Sequence, residues 1–130
     1  MKISIRLIYL TISLLISFNF FSQVRKVNCD KFKNGHFKYK EQLYQNVEII
    51  RRKNKQIEYD HKTGLKVEYT IQWTSNCQYE LTQISSNNPN VEKSNGVTIT
   101  VQIASIEGES YKYLANCKGV ITSYTIIKTK

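Results

Sequence analysis

The chain has 130 residues, of which 19 are Lys or Arg and 10 are Asp or Glu, a formal net charge of +9 with both histidines neutral. That length holds one ordinary domain around a single core and excludes a second. The charge favours anionic partners but says nothing of the fold; no internal repeat or low-complexity tract is visible.

Residues 7–21 form an uncharged apolar run, preceded by Lys2 and Arg6 and followed by Ser22 and Gln23. This is the layout of a secretory signal peptide. The expected division is a signal peptide over residues 1–22 and a single domain over 23–130, exported to the periplasm or the medium. The alternative is an uncleaved N-terminal anchor. A span needs about 20 predominantly apolar residues, and Thr11, Ser13, Ser17 and Asn19 dilute this run, so no stable membrane span is expected after cleavage. A lipoprotein is disfavoured because Arg25-Lys26-Val27-Asn28 precedes Cys29. Cleavage would remove two basic residues, Lys2 and Arg6, and leave 17 against 10 acidic ones, a net +7.

The remainder reads as strands. The first runs over 35–40, with Phe37 and Tyr39 inward, and others follow at 46–52 and 55–60. The clearest is Leu65 to Thr74, where Leu65, Val67, Tyr69, Ile71 and Trp73 alternate with polar residues and so share one face. Further runs lie at 77–84 (Cys77, Tyr79 and Leu81), 97–105 (Val97, Ile99, Val101 and Ile103), 110–116 and 119–128. The joints carry turn residues, among them Lys53-Asn54, Asp60 to Gly64, Ser75-Asn76, Glu107 to Glu109 and Lys118-Gly119. Short joints imply an up-and-down meander, and closing it removes exposed edges. The expected fold is therefore all-β: about eight antiparallel strands in a small lipocalin-like barrel, with an open sandwich as the alternative. Residues 85–96 are the one long connection, read as a partner-binding loop or a mobile crossover.

Three cysteines, Cys29, Cys77 and Cys117, allow one bridge and one leftover thiol in an oxidising compartment. We expect Cys29–Cys77, tying the N-terminal segment to the sheet; the alternative is three reduced, buried thiols. No C-x-x-C spacing supports a redox centre or zinc ribbon, and no metal or cofactor is expected. His36 and His61 have no carboxylate or cysteine at a motif spacing and read as exposed. Motifs for a zinc protease, esterase or nucleotide hydrolase are absent. Glu48, Glu58, Glu68 and Glu80 fall on adjacent strands, as a glycosidase pair would, but alternation points them to the polar face, where Lys66 and Arg52 are natural partners. The chain is thus read as a non-enzyme, with a hydrolase of unrecognised site as the alternative.

The spacing Cys29-x-x-Phe32-x-x-Gly35-x-Phe37-x-Tyr39, with Ile50-Arg51, Gln56-x-Glu58 and Ile71-x-Trp73-x-x-x-Cys77-x-Tyr79-x-Leu81, resembles a family of small exported Bacteroidota proteins of unknown function. Some members carry the label "DNA topoisomerase IV". About 108 residues after cleavage leave no room for a DNA gate. The resemblance implies cysteines at both Cys29 and Cys77, in agreement with the expected bridge, and implies no activity or cofactor.

Two functional readings follow. The first is a non-enzymatic binding module whose barrel interior, lined by Tyr69, Trp73, Tyr79 and Tyr113, takes a small apolar ligand. The second is a surface module using Lys31, Lys33, Lys38, Lys40, Arg51 and Arg52 to hold an anionic envelope polymer or nucleic acid. A stacking nucleic-acid platform is disfavoured, because the interleaved rings and lysines would face opposite sides of a strand.

Overall fold

The computed structural model describes residues 27–130; the signal peptide expected over residues 1–22 lies outside the described residues. Eight antiparallel strands follow in order: β1 (Gly35–Tyr39), β2 (Val47–Arg52), β3 (Lys55–Asp60), β4 (Lys66–Ser75), β5 (Gln78–Ser86), β6 (Thr98–Glu107), β7 (Ser110–Cys117) and β8 (Val120–Lys128). Each pairs with the next. The last returns to the first through Phe37 opposite Lys128, Lys38 opposite Ile127 and Tyr39 opposite Ile126, so the sheet closes into a barrel. That closure excludes the open sandwich and leaves no unpaired edge strand.

Alternation in β4 holds as the sequence suggested. Val67 and Ile71 are buried, Tyr69 and Trp73 are half-buried, and Lys66, Thr70 and Gln72 are exposed. The register skips one residue between Ile103 and Ser105 on β6, a bulge that returns Ile106 to the core side. The β7–β8 turn uses Lys118 at φ 50° and Gly119 at φ 84°, the left-handed pair that a two-residue hairpin requires.

The barrel has two unlike ends. At one, residues 27–34 pack against the hairpin turns as a plug. Cys29 is bridged to Cys77 with Cα atoms 5.3 Å apart, within the range of about 4.4–6.8 Å that a disulfide needs. Phe32, in the 3-10 turn Asp30–Phe32, is fully buried with its ring 4.7 Å from that of Tyr111. Asn76 Nδ2 donates to the Val27 carbonyl, Lys31 Nζ donates to the Gly108 carbonyl and pairs with Glu109, and the Lys53 amide donates to Asn34 Oδ1. Lys128 Nζ donates to the Lys31 carbonyl. All three hairpins at this end and the last strand are thereby tied to one segment. Gly35 sits where a Cβ would run into the carbonyl of Lys130, and its φ of 130° also suits glycine alone.

The connection from β5 to β6 is not a structureless crossover. Asn88 Oδ1 accepts from the Asn90 amide and caps a helical turn, α1 (Pro89–Glu92). Buried Gln83 then donates from Nε2 to the Val91 carbonyl and to Asn95 Oδ1, fastening the loop to the barrel.

With one bridge and Cys117 free, unfolded but unreduced protein should titrate one thiol. Cys29→Ser should lower stability by about 2–5 kcal/mol in chemical denaturation. Three reactive thiols would contradict the bridge.

Candidate functional site

The plugged end is organised around Arg51. The alternation of a strand sends Arg52 outward and Arg51 inward, and Arg51 is only 1% exposed. Its Nε donates to Gln56 Oε1 at 2.6 Å, Nη1 to the Phe32 carbonyl at 3.1 Å and Nη2 to the Tyr79 hydroxyl at 2.7 Å. The guanidinium lies 4.8 Å from the Phe37 ring centroid and 4.7 Å from that of Tyr79. The Tyr79 hydroxyl in turn meets that of Tyr111 at 3.1 Å.

This placement corrects the expected basic surface. Arg51 is inside and cannot touch a polyanion. Lys31 and Lys33 belong to the plug, paired with Glu109 and Asp30; Lys38, Lys40 and Arg52 are exposed. Trp73 also departs from its expected role. It packs 4.7 Å from the Tyr79 ring with Lys33 Nζ 5.4 Å from its own, at the plugged end and away from the cavity wall. Tyr69, Tyr79 and Tyr113 do line the interior.

Above Arg51 the barrel is hollow. An inner cavity of about 210 Å³ has Leu81, Ile99, Val101, Ala115 and Ile126 in its wall and Arg51 and Gln56 toward the plug. An outer chamber of about 320 Å³, lined by Tyr39, Tyr44, Val47, Glu58, Asp60, Leu65, Val67 and Tyr124, adjoins it. Tyr39, Glu58 and Tyr124 belong to both walls. The chamber lies at the end away from the plug, where the β1–β2 and β3–β4 connections turn.

Glu58 is the residue that sequence reasoning put on the wrong face. In β3 the inward positions are Gln56, Glu58 and Asp60, while Ile57 and Tyr59 point out, the reverse of the usual pattern. The register decides this: Glu58 stands opposite Ile49 on β2 and Val67 on β4, both buried. Its Oε1 accepts from Gln56 Nε2 at 2.9 Å, so Gln56 bridges Arg51 to Glu58. The second oxygen has no hydrogen-bond partner among the described residues. Burial raises the Glu58 pKa, opposed by the Gln56 hydrogen bond and the Arg51 charge. Burial followed by the nearby Glu58 charge likewise raises Tyr39 and Tyr69.

The other three glutamates of the expected set, Glu48, Glu68 and Glu80, point away from the interior. Glu68 pairs with Lys66 at 2.9 Å and Lys55 at 3.8 Å, and Glu80 alternates with inward Tyr79 and Leu81. Glu48 sits between both histidines, its oxygens 2.9 Å from His36 Nδ1 and 3.0 Å from His61 Nε2. Those hydrogen bonds hold the Glu48 carboxyl below its ordinary value. No motif spacing discloses this trio, because adjacent strands and a turn assemble it.

No protein-family model matches the chain, and no curated protein or solved structure matches it.

Two outcomes follow from the interior. Arg51→Ala orphans three hydrogen-bond partners and leaves a void, and should cost about 3–5 kcal/mol in urea denaturation. Arg51→Lys should not restore the loss, since one ammonium cannot replace the fork. For Glu58 the folded pKa exceeds the unfolded one, so its contribution is fully present below the ordinary glutamate value of about 4.3. It is lost as pH rises through the raised folded value. Glu58→Gln should therefore raise Tm at pH 7, with the gain vanishing in acid; a Tm lowered equally at both pH values would contradict it.

Proposed function

We propose that this protein is an exported, non-enzymatic binding module that takes a small, largely apolar ligand into its barrel through the end opposite the plug. The observation carrying this reading is the hollow half of the barrel. A barrel of eight strands is just wide enough to be filled by side chains or to hold one small ligand. Here the plugged half is filled, by Phe32, Phe37, Tyr79 and Tyr111 around Arg51, and the other half is not. The two adjoining spaces approach the size of ordinary ligand pockets, about 300–1,000 Å³. Exposed Leu43 on the β1–β2 connection and exposed Val120 and Ile121 at the start of β8 offer an apolar rim at that end.

Native mass spectrometry of protein purified from its own source should show a co-purifying small molecule. Ala115→Trp, which places a large ring in the inner cavity, should abolish that adduct while leaving Tm within a few degrees of wild type. An adduct that survives the substitution places the ligand elsewhere, and wild-type protein that takes up no small apolar molecule refutes the reading.

A further inference from the structure

We infer that the ligand is a cationic amphiphile, an alkyl or aryl amine or quaternary ammonium. Its charged head would sit among Tyr39, Tyr44, Tyr124 and Glu58, and its apolar body in the inner cavity. The inference rests on the binding-module reading above and narrows it to one charge class.

The chain as a whole is strongly basic, yet the outer chamber has the opposite character. Its charged lining residues are Glu58 and Asp60, and among the described residues no Lys, Arg or His belongs to its wall. Three tyrosine rings stand there in mutual contact, Tyr39 to Tyr44 at 5.5 Å, Tyr39 to Tyr124 at 5.8 Å and Tyr44 to Tyr124 at 5.4 Å between centroids. Tyrosine ring faces beside a carboxylate are what an organic cation requires, and rings set steeply to one another, as Tyr124 is to Tyr39 and Tyr44, are arranged to turn faces toward a shared space. Asp60 Oδ1 is engaged by the Lys62 and Thr63 amides and Asp60 borders the outer chamber alone, whereas Glu58, with one oxygen unpartnered among the described residues, stands in the walls of both spaces and is the group to meet the head. Beside Tyr124, Glu41 adds to the negative field: its Oε1 accepts from the Thr125 amide at 2.8 Å, and its buried Oε2 has no partner among the described residues.

The other charge classes fit less well. An anionic head would have to face Glu58 and Asp60 to reach Arg51, whose Nε, Nη1 and Nη2 are already donating and which is almost fully buried. A neutral apolar ligand would cover the half-buried carboxyl without pairing it, which costs either the desolvation of a charge or the uptake of a proton. A cation removes that cost. The groups facing Glu58 are Tyr39 from β1, Arg51 from β2, Gln56 and Asp60 from β3, Tyr69 from β4 and Tyr113 from β7. None of them supplies it with a direct ion pair.

Isothermal titration of the purified protein at pH 7 with three probes sharing one chain, octyltrimethylammonium, octanol and octanoate, separates the possibilities. The ammonium should bind about tenfold or more tightly than octanol, with octanoate the weakest. Glu58→Gln should bring the ammonium down to the octanol level while octanol binding persists, and Tyr44→Leu should weaken the ammonium selectively. Octanol equal to the ammonium in wild type, octanoate the tightest of the three, or a preference that survives Glu58→Gln in folded protein would overturn the cation inference and leave the binding module standing. If none of the three binds, both fall. The wild-type comparison decides the charge class even if a variant fails to fold.

Discussion

One buried guanidinium sets the terms for the rest of this molecule. Arg51 cannot shed its charge at any accessible pH, so the fold has to surround it with acceptors and ring faces. Each partner comes from a different part of the chain: the Phe32 carbonyl from the N-terminal plug, the Tyr79 hydroxyl from β5 and Gln56 from β3. The Cys29–Cys77 bridge fastens the same plug covalently, so covalent and polar anchoring act on one segment at one end. The other end is relieved of holding the barrel together.

That asymmetry is what makes a binding site physically possible in so small a barrel. A hollow interior forfeits dispersion contacts and apolar burial, and a chain of this size has little stability to spare. Concentrating aromatic packing, a disulfide and a hydrogen-bonded arginine at the plugged end compensates for the empty half. Gln56 links the two regimes, accepting from Arg51 on one side and donating to Glu58 on the other. The two opposite charges of the interior are thus coupled through an amide without forming a salt bridge. Glu58 is left with one oxygen unpartnered among the described residues, and burial raises its pKa.

The exterior follows separate rules. Its lysines and glutamates form ordinary surface pairs worth little each, and the basic excess bears on solubility and long-range attraction. The His36–Glu48–His61 trio is an organised feature there, spanning β1, β2 and the β3–β4 turn. Global charge is therefore a poor guide to the interior: a basic protein encloses an acidic chamber.

Much of the fold was legible in the residues themselves. Period-2 alternation, with Asn, Asp and Gly at the joints, determined eight strands and an antiparallel meander, because side-chain direction in a strand is a local property. The inward faces of β1 and β4 agree with the structure for the same reason; the expected Cys29–Cys77 bridge is also present, although no strand pattern encodes it. What alternation cannot supply is the phase of a strand whose polar residues occupy the inner face. Arg51, Gln56 and Glu58 look like surface residues in isolation, and only pairing with buried neighbours such as Ile49 and Val67 turns them inward. Tyr39 and Tyr124, far apart in sequence, meet because closure brings β8 beside β1. The sequence by itself determined the strands, their order and the turns, all consequences of local backbone chemistry. Closure, register and the position of the plug decided which polar groups are buried, which end is hollow and what charge it presents, because those depend on contacts between strands that no local pattern encodes.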